Sequence, residues 1–461
     1  MTTSLKTYTA TRNACKLCAP LGASMAFKGI QGCVPIIHGS QGCSTYVRRY
    51  MISHFREPID IASTNFTEES TIFGGGPNLK TALANVSEQY KPTHIGISTT
   101  CLSETIGDDV PQILKEYRKI NPELSEIGLA HASTPSYCGS HVDGFHQAVV
   151  SVINQLATAT TKNEKLVVLP GMLSPADYRY IREIFEVMGQ EIIMLPDLCD
   201  TLDNAHWNDY KRIPDGGTTP EELSQVGGAK AYLQFGDVLN KGMLANTVKQ
   251  KNIPSPGSSL EDRYGMEGKT VSFPMGVNAT DRFFDAVKEL TGKEMPKKYA
   301  VERGRLIDAY TDGHKYVFGQ RAIVYGEEDF VIGMTEFLSE IGVEPVLVAT
   351  GGKSKSFIDI IKSKLQLDHD PKIMIGADFE EIEEASKGME PDFMIGHSKG
   401  YYISNKHKVP LIRVGFPIHD RLGGQRVLHV GYEGAHRLFE NIVNSLLEYK
   451  QNANPIGYKY L

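Results

Sequence analysis

The chain has 461 residues, 41% hydrophobic, 22% charged and 9% aromatic, a globular balance that excludes a disordered or fibrous protein. Forty-eight basic residues against 55 acidic ones leave a net charge of −7, so nothing favours wrapping a nucleic acid backbone. No apolar run approaches the roughly 18 residues of a membrane span, and at roughly 150 residues per domain the length predicts three domains.

From the amino terminus, MTTSLKTYTATRNACKLC lacks the apolar stretch of a secretory signal, so a cytoplasmic location is expected. HIGIST (94–99) predicts a strand, followed by a turn and a helix over 109–120. KLVVLPG (165–171) predicts a strand, then a helix over 176–189 with apolar residues at helical spacing, then a strand at 191–197. RAIVYGE (321–327), a helix over 330–342 and PVLVAT (345–350) repeat the plan, and 372–376, 391–398 and 409–417 predict further buried strands. Strands alternating with helices predict an α/β fold of mainly parallel sheets, with ligands outside the carboxyl ends of the strands. The polar stretch near 158–165 and the Gly/Pro-rich 253–277 place domain divisions near 160 and 300, giving 1–160, 161–300 and 301–461. The run 379–392 predicts a solvated helix face, and the polar, aromatic end 449–461 predicts a docking tail. GGKSKS (351–356) is not a phosphate loop, because Leu347 stands where that motif needs glycine.

The seven cysteines are 15, 18, 33, 43, 101, 138 and 199, and a reducing compartment makes disulfides a poor account of their clustering. Cys18 stands in KLCAPLGAS at a helix entrance, Cys43 in HGSQGCSTYVRRY, and Cys101 in ISTTCLSETIGDD at a strand's carboxyl end. STPSYCGSH adds Ser136 and Cys138 in a turn. Thiols on three separate junctions fit converging ligands better than core packing. Cys15 and Cys18 form one C-x₂-C pair, but no second pair follows as a zinc site would need. Soft thiolates from distant loops, with glycines that let an inorganic core approach the backbone, suit an iron–sulfur cluster. Three cysteines and a serine oxygen fall short of a full ligand set, which predicts a cluster shared with another subunit. The paired acids of ETIGDD (104–109) could serve a metal or a helix N-terminus, with capping by Asp108 or Asp109 the expected outcome. Arg48 and Arg49 are expected on the surface, and of His38, His54, His131 and His141 one is expected near the cluster or all in polar packing.

The segments CAPLGA, HGSQGC, ISHFREP, FGGG, TTCLSETIGDD and TPSYCGSH occur in this order, followed by GGTTPEEL, ERGRLIDAYTDGH, PDFMIGHSKG, VPLIRVGFPIHDR and GYEGA. With them the chain resembles, over nearly its whole length, the β-type chain of nitrogenase component 1. The resemblance implies three doubly wound α/β domains, an α₂β₂ heterotetramer with a homologous α-type subunit, and an iron–sulfur cluster at each α/β interface. That cluster would be a [4Fe-4S] or an [8Fe-7S] P-cluster type, fed by an ATP-dependent [4Fe-4S] reductase homodimer. Carried over by motif, Cys18, Cys43 and Cys101 are its thiolate ligands and Ser136 an oxygen ligand in the oxidised cluster. Ser40 is a neighbour, and Cys15, Cys33, Cys138 and Cys199 match no ligand position.

Within the family, Ala19 stands where the catalytic β chain usually carries Gln, and the short stretch before Cys18 contrasts with that chain's usual leader. These features favour the β-type chain of the scaffold that matures the iron–molybdenum cofactor. The alternative is a catalytic electron-relay chain, which the full Cys18, Cys43, Cys101 and Ser136 set supports. A more distant alternative is a non-metal α/β interaction module.

Overall fold

A strand that is apolar on both faces needs helices on both faces, and this chain supplies them in alternation. The structure, a computed structural model, describes residues 13–122, 126–239, 243–244, 253–365 and 370–454. The first sheet holds β1 (Cys33–His38), β2 (Ala62–Ser63), β3 (His94–Thr99) and β4 (Gly128–Ala132) in the order β2-β1-β3-β4. The second holds β5 (Leu166–Leu169), β6 (Ile192–Met194) and β7 (Ala231–Phe235). After a short antiparallel pair, β8 (Met243–Leu244) and β9 (Ile253–Pro254), β10 (Gly268–Val271) completes it in the order β10-β7-β5-β6. The third holds β11 (Arg321–Gly326), β12 (Glu344–Thr350), β13 (Lys372–Met374), β14 (Phe393–Gly396) and β15 (Leu411–Arg413) in the order β13-β12-β11-β14-β15.

Every pairing within the three large sheets is parallel, as the alternation predicts. β1 and β3 are buried at all positions. One apolar core runs continuously from Leu17 through all three sheets to Leu446. The strand predicted at 409–417 shortens to Leu411–Arg413, since Gly415 turns the chain at φ 68°. The helix in 379–392 is confined to Phe379–Ser386 and buries Phe379, Ile382 and Ser386, so that face is only partly solvated. Residues 455–461 of the predicted docking tail lie outside the described residues.

Among the described residues the first sheet is accompanied by α1 (Ala19–Lys28), α2 (Gln41–Phe55), α3 (Glu68–Phe73), α4 (Gly76–Tyr90), α5 (Cys101–Ile106), α6 (Val110–Ile120) and α7 (His141–Gln155). α1 is buried along its whole length, and two glycines let it approach α7 at backbone contact. A β-carbon on Gly22 would fall 1.6 Å from the His141 carbonyl oxygen, and one on Gly144 would fall 1.9 Å from that of Ala19. Gly96 in β3 likewise makes room for the Phe27 ring of α1, which a β-carbon would meet at 2.2 Å.

In the third sheet the chain reverses its winding between β11 and β14, the place where doubly wound sheets open a crevice. Residues 13–16 fill it. Phe379 donates its N–H to Asn13 (3.2 Å), Cys15 donates its own to Ala377 (3.2 Å), and the Lys399 ammonium donates to the Ala14 carbonyl.

Candidate metal centre

Parallel neighbours end level, so the turns that follow them fall side by side. Register pairs His38 with Thr99 and Ser98 with Ala132. β1 therefore delivers Cys43, β3 delivers Cys101 and β4 delivers Ser136 to one rim of the sheet, with neighbouring strands about 4.8 Å apart. Cys18 reaches the same rim as the N-cap of α1. Cys43 lies in the first turn of α2 and Cys101 opens α5. A thiolate at a helix start meets free N–H groups and the positive end of the dipole.

Local chemistry fixes each turn. Thr100 caps α5 in a reciprocal box with Ser103 and also donates its hydroxyl to the His38 carbonyl (3.1 Å), tying the Cys101 turn to the end of β1. The turn at Ser136 closes by a Cys138 N–H to Pro135 carbonyl bond (3.0 Å). Ser136 then bridges two thiols: its N–H donates to Cys101 Sγ (3.2 Å), while its hydroxyl accepts the Ala19 N–H (3.1 Å) and hydrogen-bonds Cys18. The Ser40 hydroxyl donates to Cys43 Sγ at 3.5 Å.

The three thiols lie close enough to feel one another. Burial raises the Cys18 thiol; the Ser136 hydrogen bond opposes this, and the charges of Cys101 and Cys43 add to it. Ionised together, three thiolates at one rim would repel one another and favour a bound cation between them. Yet among the described residues no group of three or more His, Cys, Asp or Glu side chains is gathered for a single metal ion. All three cysteines remain partly exposed.

The other cysteines behave differently. Cys15, Cys33 and Cys199 are buried, and burial pushes each thiol up to about 12. Cys138 is half-buried, and burial, Glu104 and Cys101 raise it. Asp109 caps α6 by accepting the Gln112 N–H (3.0 Å), as expected, whereas Asp108 pairs with His38 (2.9 Å) and accepts the Gly75 N–H. The Arg48 guanidinium is exposed and donates to the Ile59 carbonyl (3.0 Å). Sequence reasoning missed Tyr46, one turn past Cys43, whose hydroxyl hydrogen-bonds Cys18. Helical spacing from Cys43 was the available signal. It also missed Glu327, which accepts a hydrogen bond from His141 across 186 residues (3.0 Å); no local signal marks it. A cleft of about 590 Å³ lined by Arg413, Arg421, Leu422 and Tyr449 includes no cysteine and lies apart from this rim.

The description "nitrogenase component 1 type oxidoreductase" matches residues 18–447. The chain belongs to the nitrogenase component 1 family. It is a β-type member: it is 38% identical to the nitrogenase molybdenum-iron protein beta chain of Clostridium pasteurianum, covering 95% of this chain and 93% of that one. The chain of the same name from Methanococcus maripaludis is 35% identical, with 96% of each covered, and that from Azotobacter vinelandii is 35% identical over 95% and 84%. A chain of the solved nitrogenase Cp1 at pH 6.5 superposes with a TM-score of 0.92 at 35% identity, covering 99% and 98%. A chain of nitrogenase Cp1 at pH 5 shares the fold at TM-score 0.68 and 17% identity. Among the described residues no helix is long and apolar enough to cross a membrane.

Proposed function

We propose that this chain is the β-type subunit of an α₂β₂ complex in which Cys18, Cys43 and Cys101 hold an iron–sulfur cluster shared with an α-type partner. Ser136 supplies an oxygen beside it. The observation that supports this is the approach of three thiols and Ser136 to one rim, where Ser136 contacts Cys101 and Ala19 and Cys18 feels the charges of Cys43 and Cys101. Such a cluster, of [4Fe-4S] or [8Fe-7S] type, supplies one-electron storage at a potential set by its surroundings. The chain's own residues ligate it, shield its inner side with α1 and α7, and leave the outer side to the partner. Electrons enter from an ATP-dependent reductase homodimer. We read the chain as three units with boundaries near 160 and 300, a division supported by its three large parallel sheets.

Within the family, a catalytic electron-relay role in nitrogenase is the better-supported reading. The relatives named above are molybdenum-iron protein beta chains, and 93% and 96% of two of them are covered, so a long leader does not separate the roles. The cofactor-scaffold reading keeps one specific observation, Ala19 directly after Cys18. The complex, isolated anaerobically with its α-type partner and supplied with reductase and ATP, should turn over dinitrogen or another small substrate. Cofactor donation to a cofactor-deficient nitrogenase without turnover would reverse the order of the two readings. For the cluster itself, Cys101→Ala should lower iron and sulfide content several-fold, while Cys199→Ala should leave both unchanged. Equal iron in the two variants would refute the ligand assignment.

A further inference from the structure

Cys18 is held from both sides by backbone hydrogen bonds. On its far side the Ala19 N–H meets Ser136. On its near side Leu17 is gripped twice by one residue: the Leu17 N–H donates to His141 Nδ1 (3.2 Å), and the His141 N–H donates to the Leu17 carbonyl (3.1 Å). An N–H pointing at Nδ1 requires that nitrogen to be bare, so the ring proton sits on Nε2. Nε2 lies 3.0 Å from Glu327 Oε1, and both side chains are nearly sealed from solvent, at 3% and 9% exposure.

Glu327 directly follows β11 and is the N-cap of the helix Glu328–Glu340. Burial is the strongest single influence and works to raise its carboxyl; the His141 hydrogen bond, together with His397 and a backbone N–H, outweighs it and holds the group below the ordinary glutamate range. An apolar pair of similar size would fill this space without the desolvation cost of a carboxylate. A fixed tautomer is what the polar pair adds, and the tautomer is what lets the ring accept from Leu17. The chain of bonds runs from the third sheet to the residue before Cys18, a link that packing alone does not supply.

We infer that His141, oriented by Glu327, is a positioning residue that sets the place of the Cys18 sulfur relative to Cys43 and Cys101, and through it the electronic state of the shared cluster. This rests on the cluster reading above. The pair touches neither cluster ligand nor substrate directly; it acts through the Leu17 backbone.

The test uses the anaerobic complex with its partner, carrying His141→Phe, His141→Asn, His141→Gln or Glu327→Gln. Amide hydrogen exchange over residues 15–22, iron and sulfide content, and an EPR-monitored redox titration are the readouts. Asn places an oxygen where Nδ1 was and keeps the Leu17 acceptor; Gln reaches toward Glu327 but leaves Leu17 unmet. His141→Phe and His141→Gln should speed exchange about tenfold, the loss expected for one buried hydrogen bond, and should shift the midpoint potential. His141→Asn should restore both toward the parent, and Glu327→Gln should fall between. Unchanged exchange and potential in His141→Phe, with parental iron, overturn the inference while leaving the cluster reading intact. If His141→Phe does not assemble, His141→Asn behaving no better than His141→Gln overturns it equally. An iron-free parent complex overturns the cluster reading instead, and with it the electronic role assigned to His141.

Discussion

Ser136 contributes two separable groups to the rim. Its N–H to Cys101 Sγ survives any substitution but proline, whereas its hydroxyl serves Ala19 and Cys18. Ser136→Ala should therefore keep the reduced cluster and its iron content. It should also leave the Ala19 N–H without an acceptor, at a cost of about 1–2 kcal/mol. Iron counting and thermal unfolding of the complex check both halves, and loss of most iron would mean that the hydroxyl is an obligatory ligand. At this scale the sequence was informative where a residue type announces its chemistry. Cys18, Cys43, Cys101 and Ser136 stand out by type and by the glycines, prolines and helix starts around them. Glu327 does not, because a buried glutamate looks like any surface glutamate until its partner 186 residues away is known.

The contact between α1 and α7 is set by the absence of two side chains. Gly22 and Gly144 each face a carbonyl oxygen of the opposite helix, at distances no β-carbon tolerates. Gly144→Ala should push the helices apart, with a cost at the upper end of the roughly 1–3 kcal/mol typical of overpacking. Because Cys18 caps one helix and His141 opens the other, the same change should lower iron content. Parental iron together with a lowered melting temperature would uncouple helix spacing from the site. Period and flanking turns gave β3, α6, β5, β11 and β12 to within a residue or two. β15 came out shorter than its apolar run because Gly415, inside that run, turns the chain at φ 68°. The glycines were visible as letters, but what each one faces is a tertiary fact.

At the scale of the molecule, one group of buried acids opens the helix that follows β11. Burial, reinforced by Asp143, pushes the Glu328 carboxyl up to about 8, although it accepts the Ser354 N–H (2.8 Å). An acid whose pKa is higher folded than unfolded binds its proton more tightly in the native state. Stability is therefore full below about 4.5 and declines as pH rises toward 8. Glu328→Gln keeps an oxygen for Ser354 and removes the titration. The variant should match the parent near pH 5 and exceed it near pH 8 by on the order of 2–4 kcal/mol. Denaturant unfolding of the complex at the two pH values decides, and parallel behaviour would count against a buried, displaced Glu328. The crevice occupied by residues 13–16 also orders events in time. Lys399 and Ala14 are 385 residues apart, so residues 13–16 find this partner only once the third sheet has been made. Under the proposed ligand assignment, the stretch leading into Cys18 is seated only after the third sheet has formed. A chain stopped at residue 320, co-expressed with its partner and the loading machinery, should emerge colourless, and a brown product would show that the first ligand is set without the last sheet.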